Sequence, residues 1–382
     1  MGAKLSDIDL DYDAITIDTC IFDNNGIALE RGLLKQLDQF KESPVQVLIS
    51  EVIDNEVLLH LTDKVKGSRA KINQALRSAE NQLRVTGKAI SEAKILIYDE
   101  GEDVDVARGR INDFYDKTGV EIITCEGAVE VSDLVDRYFN FKAPFENKAD
   151  KKNEFPDALA LLALESYAKS DNIKILAVST DKGWAKFSEN SDRIEVIDNL
   201  SDAISHFQPH NYAQSTIESI KSDYVAGRPN SILNAIAQGI RDSLDGIDIY
   251  VEANSSFAFE EDDVHAIYDS HDVHCDEKGK PEINIIRVES ELVVIQITAY
   301  VKCEVHASFG LSVWDSIDKE YVGMGSASGS TEEEYDTKIL ISLTGDFSEG
   351  LDSVEVDEVE VIDAPSHVEF GEIEPDWWHE EP

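Results

Sequence analysis

Cysteine pairing is missing from this chain of 382 residues. The four cysteines, Cys20, Cys125, Cys275 and Cys303, are scattered with no CxxC spacing, which excludes a disulfide scaffold and fits a reducing, cytoplasmic setting. No apolar run approaches the roughly 18 residues that a spanning helix needs, so a transmembrane segment is excluded as well. Basic residues are scarce, above all in the second half. Residues 209–382 hold 9 bases against 39 acids, net −30, whereas residues 1–208 hold 25 against 39, net −14. So acidic a second half repels nucleic acid, which excludes it as the part that binds such a partner. The N-terminal Met-Gly-Ala-Lys-Leu-Ser fits the pattern for acylation of Gly2, but Asp7, Asp9, Asp11 and Asp13 follow at once and an anionic membrane would repel them, so the pattern is read as a chance match. The step in charge puts a domain boundary near residue 208. A hydrophobic content of 42% and four tryptophans allow each part its own core.

What is present begins at residues 14–20, Ala-Ile-Thr-Ile-Asp-Thr-Cys, an apolar run of strand type that ends on Asp18. In open α/β sheets ligands bind at the carboxyl ends of the strands, so an acid ending the first strand is a candidate site residue. Asn24-Asn25-Gly26 predicts a turn, and Ile27 to Glu42 an amphipathic helix with Ile27, Leu33, Leu34, Leu37 and Phe40 inward. Val45 to Ile49 reads as a second strand and Ser50 as the N-cap of a helix that carries Glu56 roughly one and a half turns in. Residues 61–98 read as one long helix, with Val65, Ile72, Leu76, Ala79, Leu83 and Ile90 along a packed stripe. Short helices over Val104 to Tyr115 and Ala128 to Phe139 flank a strand at Val120 to Thr124, and a loop over Phe141 to Asn153 leads to Phe155-Pro156-Asp157. Proline suits a first helical turn, which places Asp157 there. Ile173 to Val178 reads as a buried parallel strand that delivers Asp181, and a strand and helix over Ile194 to Phe207 close the domain. Strand and helix in alternation predict a parallel sheet with right-handed crossovers.

Asp18, Glu56, Asp157 and Asp181 thus stand at strand ends or early in helices on one edge of one sheet. Carboxylates crowded together cannot all ionise unless a cation neutralises them. Hard divalent ions with oxygen ligands, Mg²⁺ or Mn²⁺, match that donor set, and such a site can activate water against a phosphodiester. A haloacid dehalogenase phosphatase would need an aspartate two places after Asp18, where Cys20 stands.

Ile-Asp18-Thr19, Ile49-Ser50 through Glu56-Val, Asp157-Ala-Leu and Val178-Ser-Thr180-Asp181-Lys-Gly-Trp-Ala-Lys-Phe187 resemble the successive motifs of PIN-domain nucleases over roughly residues 12–208. The resemblance implies an αβα sandwich, a metal-dependent endonuclease acting most often on RNA, and a metal site of Asp18, Glu56, Asp157 and Asp181. Thr19 and Thr180 would support it, Thr180 by orienting Asp181 or a bound water, and Glu154 would be an additional ligand; Glu51 competes with Glu56. The helical stretch of about 61–117 is longer than in the compact members and suggests a separate substrate lip. Eight bases against three acids over residues 61–98 make a positive ridge, and Arg77, Arg84, Lys88 and Lys182 are the expected nucleic-acid contacts.

Beyond residue 208 the chain predicts a helical linker to about residue 246, then a mostly antiparallel β domain over 247–382, with strands at 247–251, 283–288, 292–305, 338–343 and 354–362. It has no catalytic motif. Protein contact is its expected role, either with a partner or by covering the ridge, and Trp377 and Trp378 in the tail would pack on it or dock elsewhere. His271, His274, Cys275, Cys303 and His306 are a zinc set to be tested. The reading favoured is a cytoplasmic nuclease, in a toxin or defence role, with RNA ahead of DNA as substrate and further copies of the chain as partners; no membrane partner is expected. The alternatives are a catalytically silent scaffold and a structure-specific DNA nuclease.

Overall fold

The computed structural model describes residues 11–83, 85–98, 101–145, 154–208, 210–289, 291–347 and 351–375. They form two compact units, one ending at Gln208 and one following it.

The first unit runs β1 (Ala14–Ile17), α1 (Thr19–Asn24), α2 (Gly32–Lys35), a 3-10 turn (Gln36–Phe40), β2 (Gln46–Ser50), α3 (Glu51–Gln82), α4 (Gly87–Ile97), α5 (Asp103–Thr118), β3 (Glu121–Ile123), α6 (Val131–Asn140), α7 (Phe155–Asp171), β4 (Ile175–Val178), α8 (Lys182–Ser188), β5 (Ile194–Ile197) and α9 (Leu200–Ser205). Its five strands lie in the order β3-β2-β1-β4-β5, all parallel. β1 and β4 are buried at every position, as strands covered by helices on both faces must be. The predicted α/β class with a central parallel sheet is therefore what the chain adopts.

Two helices differ from expectation. The helix predicted over Ile27 to Glu42 is broken: Gly26, Ile27 and Gly32 adopt positive φ, which no α-helix accommodates, so helix begins only at Gly32 and tightens into the 3-10 turn. Its five inward residues are nevertheless all buried. The long helix over 61–98 is the continuation of the helix that starts at Glu51; it ends at Gln82, and Thr86 caps a new one by accepting from the Ala89 N–H at 3.3 Å. The stripe that was to pack it is shallow. The fully buried residues of α3 end at Leu61, α4 has none, and Leu83, Ile95 and Leu96 are exposed. Among the described residues no helix is long and apolar enough to cross a membrane.

The second unit has α10 (His210–Val225) and α11 (Ser231–Leu244), then β6 (Tyr250–Asn254), β7 (Ala258–Val273), β8 (Ile283–Val288), β9 (Leu292–Asp315), β10 (Glu320–Gly345), a 3-10 turn (Leu351–Ser353), β11 (Val354–Val361) and β12 (His367–Glu372). One antiparallel sheet is ordered β11-β10-β9-β7, with β8 also on β9, while β12 pairs in parallel with β6. β9 and β10 are far longer than the apolar runs that announced them. Beyond those runs they alternate buried and exposed positions, the pattern of a sheet with one covered face. α11 lays Ile232, Ile236, Ile240 and Leu244, spaced by four, into the core beside Ile295, Ile297 and Val301. Trp377 and Trp378 lie outside the described residues.

Gly239 in α11 marks where that helix comes closest to β11: a Cβ built there would meet Val359 Cγ1 at 2.5 Å. Alanine would gain roughly 0.5–1 kcal/mol of helix preference, but overpacking costs about 1–3 kcal/mol. Gly239→Ala is therefore expected to lower stability by about 1 kcal/mol, read as a lower urea midpoint with an unchanged slope. A raised midpoint would mean that the contact yields.

Candidate active site

The strand order decides where the site is. The chain proceeds from β1 to β2 on one side and later returns to β4 on the other, so the crevice between β1 and β4 at their carboxyl ends is a topological switch point. Ile17 pairs with Val178, and the Asp18 N–H donates to the Val178 carbonyl at 3.0 Å. Asp18 and Asp181 leave these two adjacent strands at the same edge.

Asp18 begins α1 but its side chain makes no cap there, and it is 5% exposed. Its Oδ2 accepts from the Ser179 hydroxyl at 2.6 Å and from the Cys20 thiol at 2.9 Å. Ser179 also accepts the Asp181 N–H at 3.0 Å, so one buried hydroxyl links both aspartates. Asp181 caps α8, its Oδ1 accepting from the N–H groups of Gly183 at 2.6 Å and Trp184 at 3.3 Å. Thr180, expected to orient Asp181, is exposed and donates to Cys20 Sγ at 3.3 Å; Ser179 holds the bond to Asp18 instead. Burial, then the Asp18 charge, push the Cys20 thiol up, which keeps it a donor.

Glu56, half-buried on α3, accepts from the Thr19 hydroxyl at 2.6 Å. Asp157, in the first turn of α7 behind Pro156, accepts from the Trp184 indole at 2.9 Å. Burial raises the Asp157 carboxyl to about 7, and the charges of Asp18, Asp181 and Glu56 push it the same way while Trp184 opposes them. Burial also lifts Asp18 above its usual range, against the pull of Cys20 and Ser179 and with the Asp181 charge adding to it. Asp157 thus feels the other three acids electrostatically, the four being carried by four different elements, α1, α3, α7 and α8. Glu51 is turned aside, accepting the Cys125 N–H beyond β3 at 2.7 Å. Glu154 stands at the entrance to α7, half-buried.

Among the described residues none of the four acids has a lysine or arginine partner, although Glu30, Asp54, Asp103, Asp133 and Asp136 of the same unit all do. An all-carboxylate set held by neutral donors and lacking a counter-charge fits a hard divalent cation. The carboxylates are set apart, with no three of their oxygens within 4.8 Å of one another.

The residues expected to touch nucleic acid scatter. Lys182 is exposed directly beside Asp181, and Arg77 is exposed on α3. Lys88 sits on α4, past the break, 3.7 Å from Glu92, so it does not continue the face of Arg77; Arg84 lies outside the described residues. The zinc set does not gather. His274 faces Asp336 at 2.8 Å, His271 faces the Tyr268 hydroxyl at 2.7 Å, and His306 stacks on His265. The trio gathered within 4.8 Å among the described residues is Glu252, His367 and Glu369, all exposed, with His367 stacked on Tyr250. Sequence reasoning missed Ser179, Cys20 and Trp184 as members of the site. The signal for Ser179 was its place at the end of the buried β4 run, two residues before Asp181.

Compared with known families, residues 15–184 match the family model described as PIN domain, so the resemblance holds over that segment and the first unit carries a nuclease-like fold. No curated protein and no solved structure matches the chain.

A folded-state carboxyl raised from 3.8 to about 7 holds a proton that the unfolded chain releases, so its stabilising contribution is complete below pH 4 and is lost as pH climbs toward 7. In EDTA at about pH 8, Asp157→Asn is expected to melt higher than the unaltered protein by about 2–4 °C for each kcal/mol regained, and at about pH 4 to match it. Identical melting at both pH values would refute a strained buried charge.

Proposed function

We propose that the first unit is a metal-dependent endonuclease that hydrolyses phosphodiester bonds, RNA ahead of DNA, at the edge formed by Asp18, Glu56, Asp157 and Asp181. The observation that carries the reading is the mutual electrostatic influence of four acids, without a basic partner among the described residues, about the switch point of a PIN-type sheet. A divalent ion, Mg²⁺ or Mn²⁺, when bound, supplies the Lewis acidity that polarises a phosphodiester and eases deprotonation of the attacking water.

The chain's own residues would hold that chemistry in place. Each acid is fixed through one oxygen: Asp18 Oδ2 by Ser179 and Cys20, Glu56 Oε2 by Thr19, Asp157 Oδ1 by Trp184, and Asp181 Oδ1 by two backbone N–H groups. An ionised carboxylate has about four lone-pair sites, so each retains acceptor capacity toward the ion. Asp157, whose carboxyl is raised to about 7 by burial first and by its acidic neighbours second, is the member poised to take a proton from water at neutral pH. Lys182 would meet a phosphate of the strand beside Asp181. The second unit, net −30 over residues 209–382, would repel the strand and serve protein contact, which suits a toxin or defence effector joined to a module of its own.

The test is cleavage of single-stranded RNA and DNA with Mn²⁺ beside an EDTA control. Asp18→Asn is expected to lose more than the roughly 10–100-fold that removal of a supporting group costs, and Ser179→Ala to fall within that range. Absence of cleavage by the unaltered protein on both substrates would favour a silent scaffold.

A further inference from the structure

A cavity of about 750 Å³ in the first unit is lined not by the four acids but by residues of α3, the C-terminal end of α4, Val106 and Arg110 of α5, and residues within 26–31. Its charge is opposite to that of the molecule. Among the described residues five cations line it, Arg31, Lys64, Arg69, Lys71 and Arg110, against the carboxylate of Glu30, in a half of the chain whose net charge is −14. Two of the five are already neutralised: Arg69 is 2.7 Å from Asp103, and Arg110 is 2.6 Å from Glu30. Arg31 and Lys64 are exposed and have no carboxylate partner among the described residues. The remaining wall is apolar and aromatic, with Ile72, Ile97 and Tyr98; the Tyr98 ring lies 5.6 Å from the Arg69 guanidinium and its hydroxyl donates to the Arg69 carbonyl.

Gly67 lies on the cavity lining, in the middle of α3. A helix interior disfavours glycine by roughly 0.5–1 kcal/mol, and here a Cβ would meet nothing within 4 Å. Packing does not require the glycine, and its lack of a side chain leaves this part of the lining, here called the floor, bare. Position adds direction. Glu56 and Lys64 are eight residues apart on the same unbroken helix, or roughly 12 Å by the helical rise, which is a short run of nucleotides from the acids.

We propose that this cavity is a subsite for one nucleotide of the substrate strand away from the cleaved bond, with Arg31 and Lys64 taking its phosphate and the Arg69–Tyr98 wall taking its base. Phosphate neutralisation and base stacking are the two contributions by which single strands are held without sequence readout. The choice of a strand over a free nucleotide rests on the nuclease reading above.

The full chain in EDTA, where no cleavage occurs, is titrated against a fluorescein-labelled short single-stranded RNA, with AMP as competitor. The double variant Arg31→Ala/Lys64→Ala is expected to weaken strand binding by about tenfold and to reduce its salt slope by about one to two. Gly67→Leu, which keeps the helix and fills the floor, is expected to melt no lower than the parent and to bind the strand at least about fivefold more weakly. AMP is expected to compete only at far higher concentration, since it brings a single phosphate site. Unchanged strand affinity in both cavity variants would overturn the subsite, whether or not Asp18→Asn abolishes cleavage. Tight AMP binding that the cavity variants remove, with strand affinity untouched, would also overturn it in favour of a free-nucleotide pocket. Loss of strand binding in the cavity variants of a protein that never cleaves would support the subsite while sinking the nuclease reading.

Discussion

The pairing of β1 with β4 is the constraint on which the first unit depends. It brings together two strands that are 161 residues apart in the chain and makes Asp18 and Asp181 neighbours, although burial disfavours the charge of Asp18 and the field of Asp181 disfavours it further. A fold that did only this would be at odds with itself. The opposition is met locally by neutral donors: a serine hydroxyl, a thiol, an indole and the N–H groups that open α8. Hydrogen bonds to charged groups contribute about 1.5–3 kcal/mol each, enough to hold the carboxylates in place but not to supply positive charge. The four acids are thereby oriented while the electrostatic deficit among them persists, a combination that differs from an ordinary salt-bridge network and is the one the proposed ion site needs. Elsewhere in the same unit the chain spends arginines freely on single exposed acids such as Glu30 and Asp133.

How much of this could be read from the sequence follows from how local each cause is. Asp18, Asp157 and Asp181 were legible because a buried strand or a proline at a helix start fixes the residue that follows within a few positions. Ser179 was not legible as a linker, since its role arises only when β1 and β4 lie side by side. Ile27 to Glu42 kept its apolar periodicity through a break, because the same five residues can be buried by two short turns as well as by one helix; the positive φ at Ile27 leaves no trace in hydrophobic spacing. The opposite error occurred at β7. Ala258–Val273 is a strand of sixteen residues carried by backbone pairing to β9 at an edge, with acids and histidines at half of its positions and no continuous apolar run to announce it. β12 was missed for a related reason: six residues in parallel pairing with β6 depend on a partner over a hundred positions away.

The second unit shows the same chemistry of charge in another setting. Acids such as Glu304, Glu332, Glu334 and Asp336 lie at exposed positions of the long strands β9 and β10, so an excess of negative charge is compatible with two well-filled cores around Ile297 and Phe309. Cross-strand compensation is thin, with Lys302 on Glu334 a rare example. Self-repulsion of this kind costs stability and is retained where net charge has a use, as in keeping a polyanion off one part of a molecule that handles it with another.

α3 connects the two features of the first unit that could serve one substrate. A helix of 32 residues cannot draw all of its stability from the three residues it fully buries near its start, so its outer turns persist through backbone bonds, half-buried contacts and pairs such as Arg69 with Asp103. The first turns carry Glu56 to the acids, and the next turns carry Lys64 and Lys71 to the cavity, on a single rigid body. Their separation is then set by helical rise rather than by loop conformation, so a strand seated on the lysines would be presented to the acids at a fixed offset. That is why the unusual length of this helix is more than an appendage. Under the proposed reading, it would make a sheet-edge site for a phosphodiester one end of a measured track.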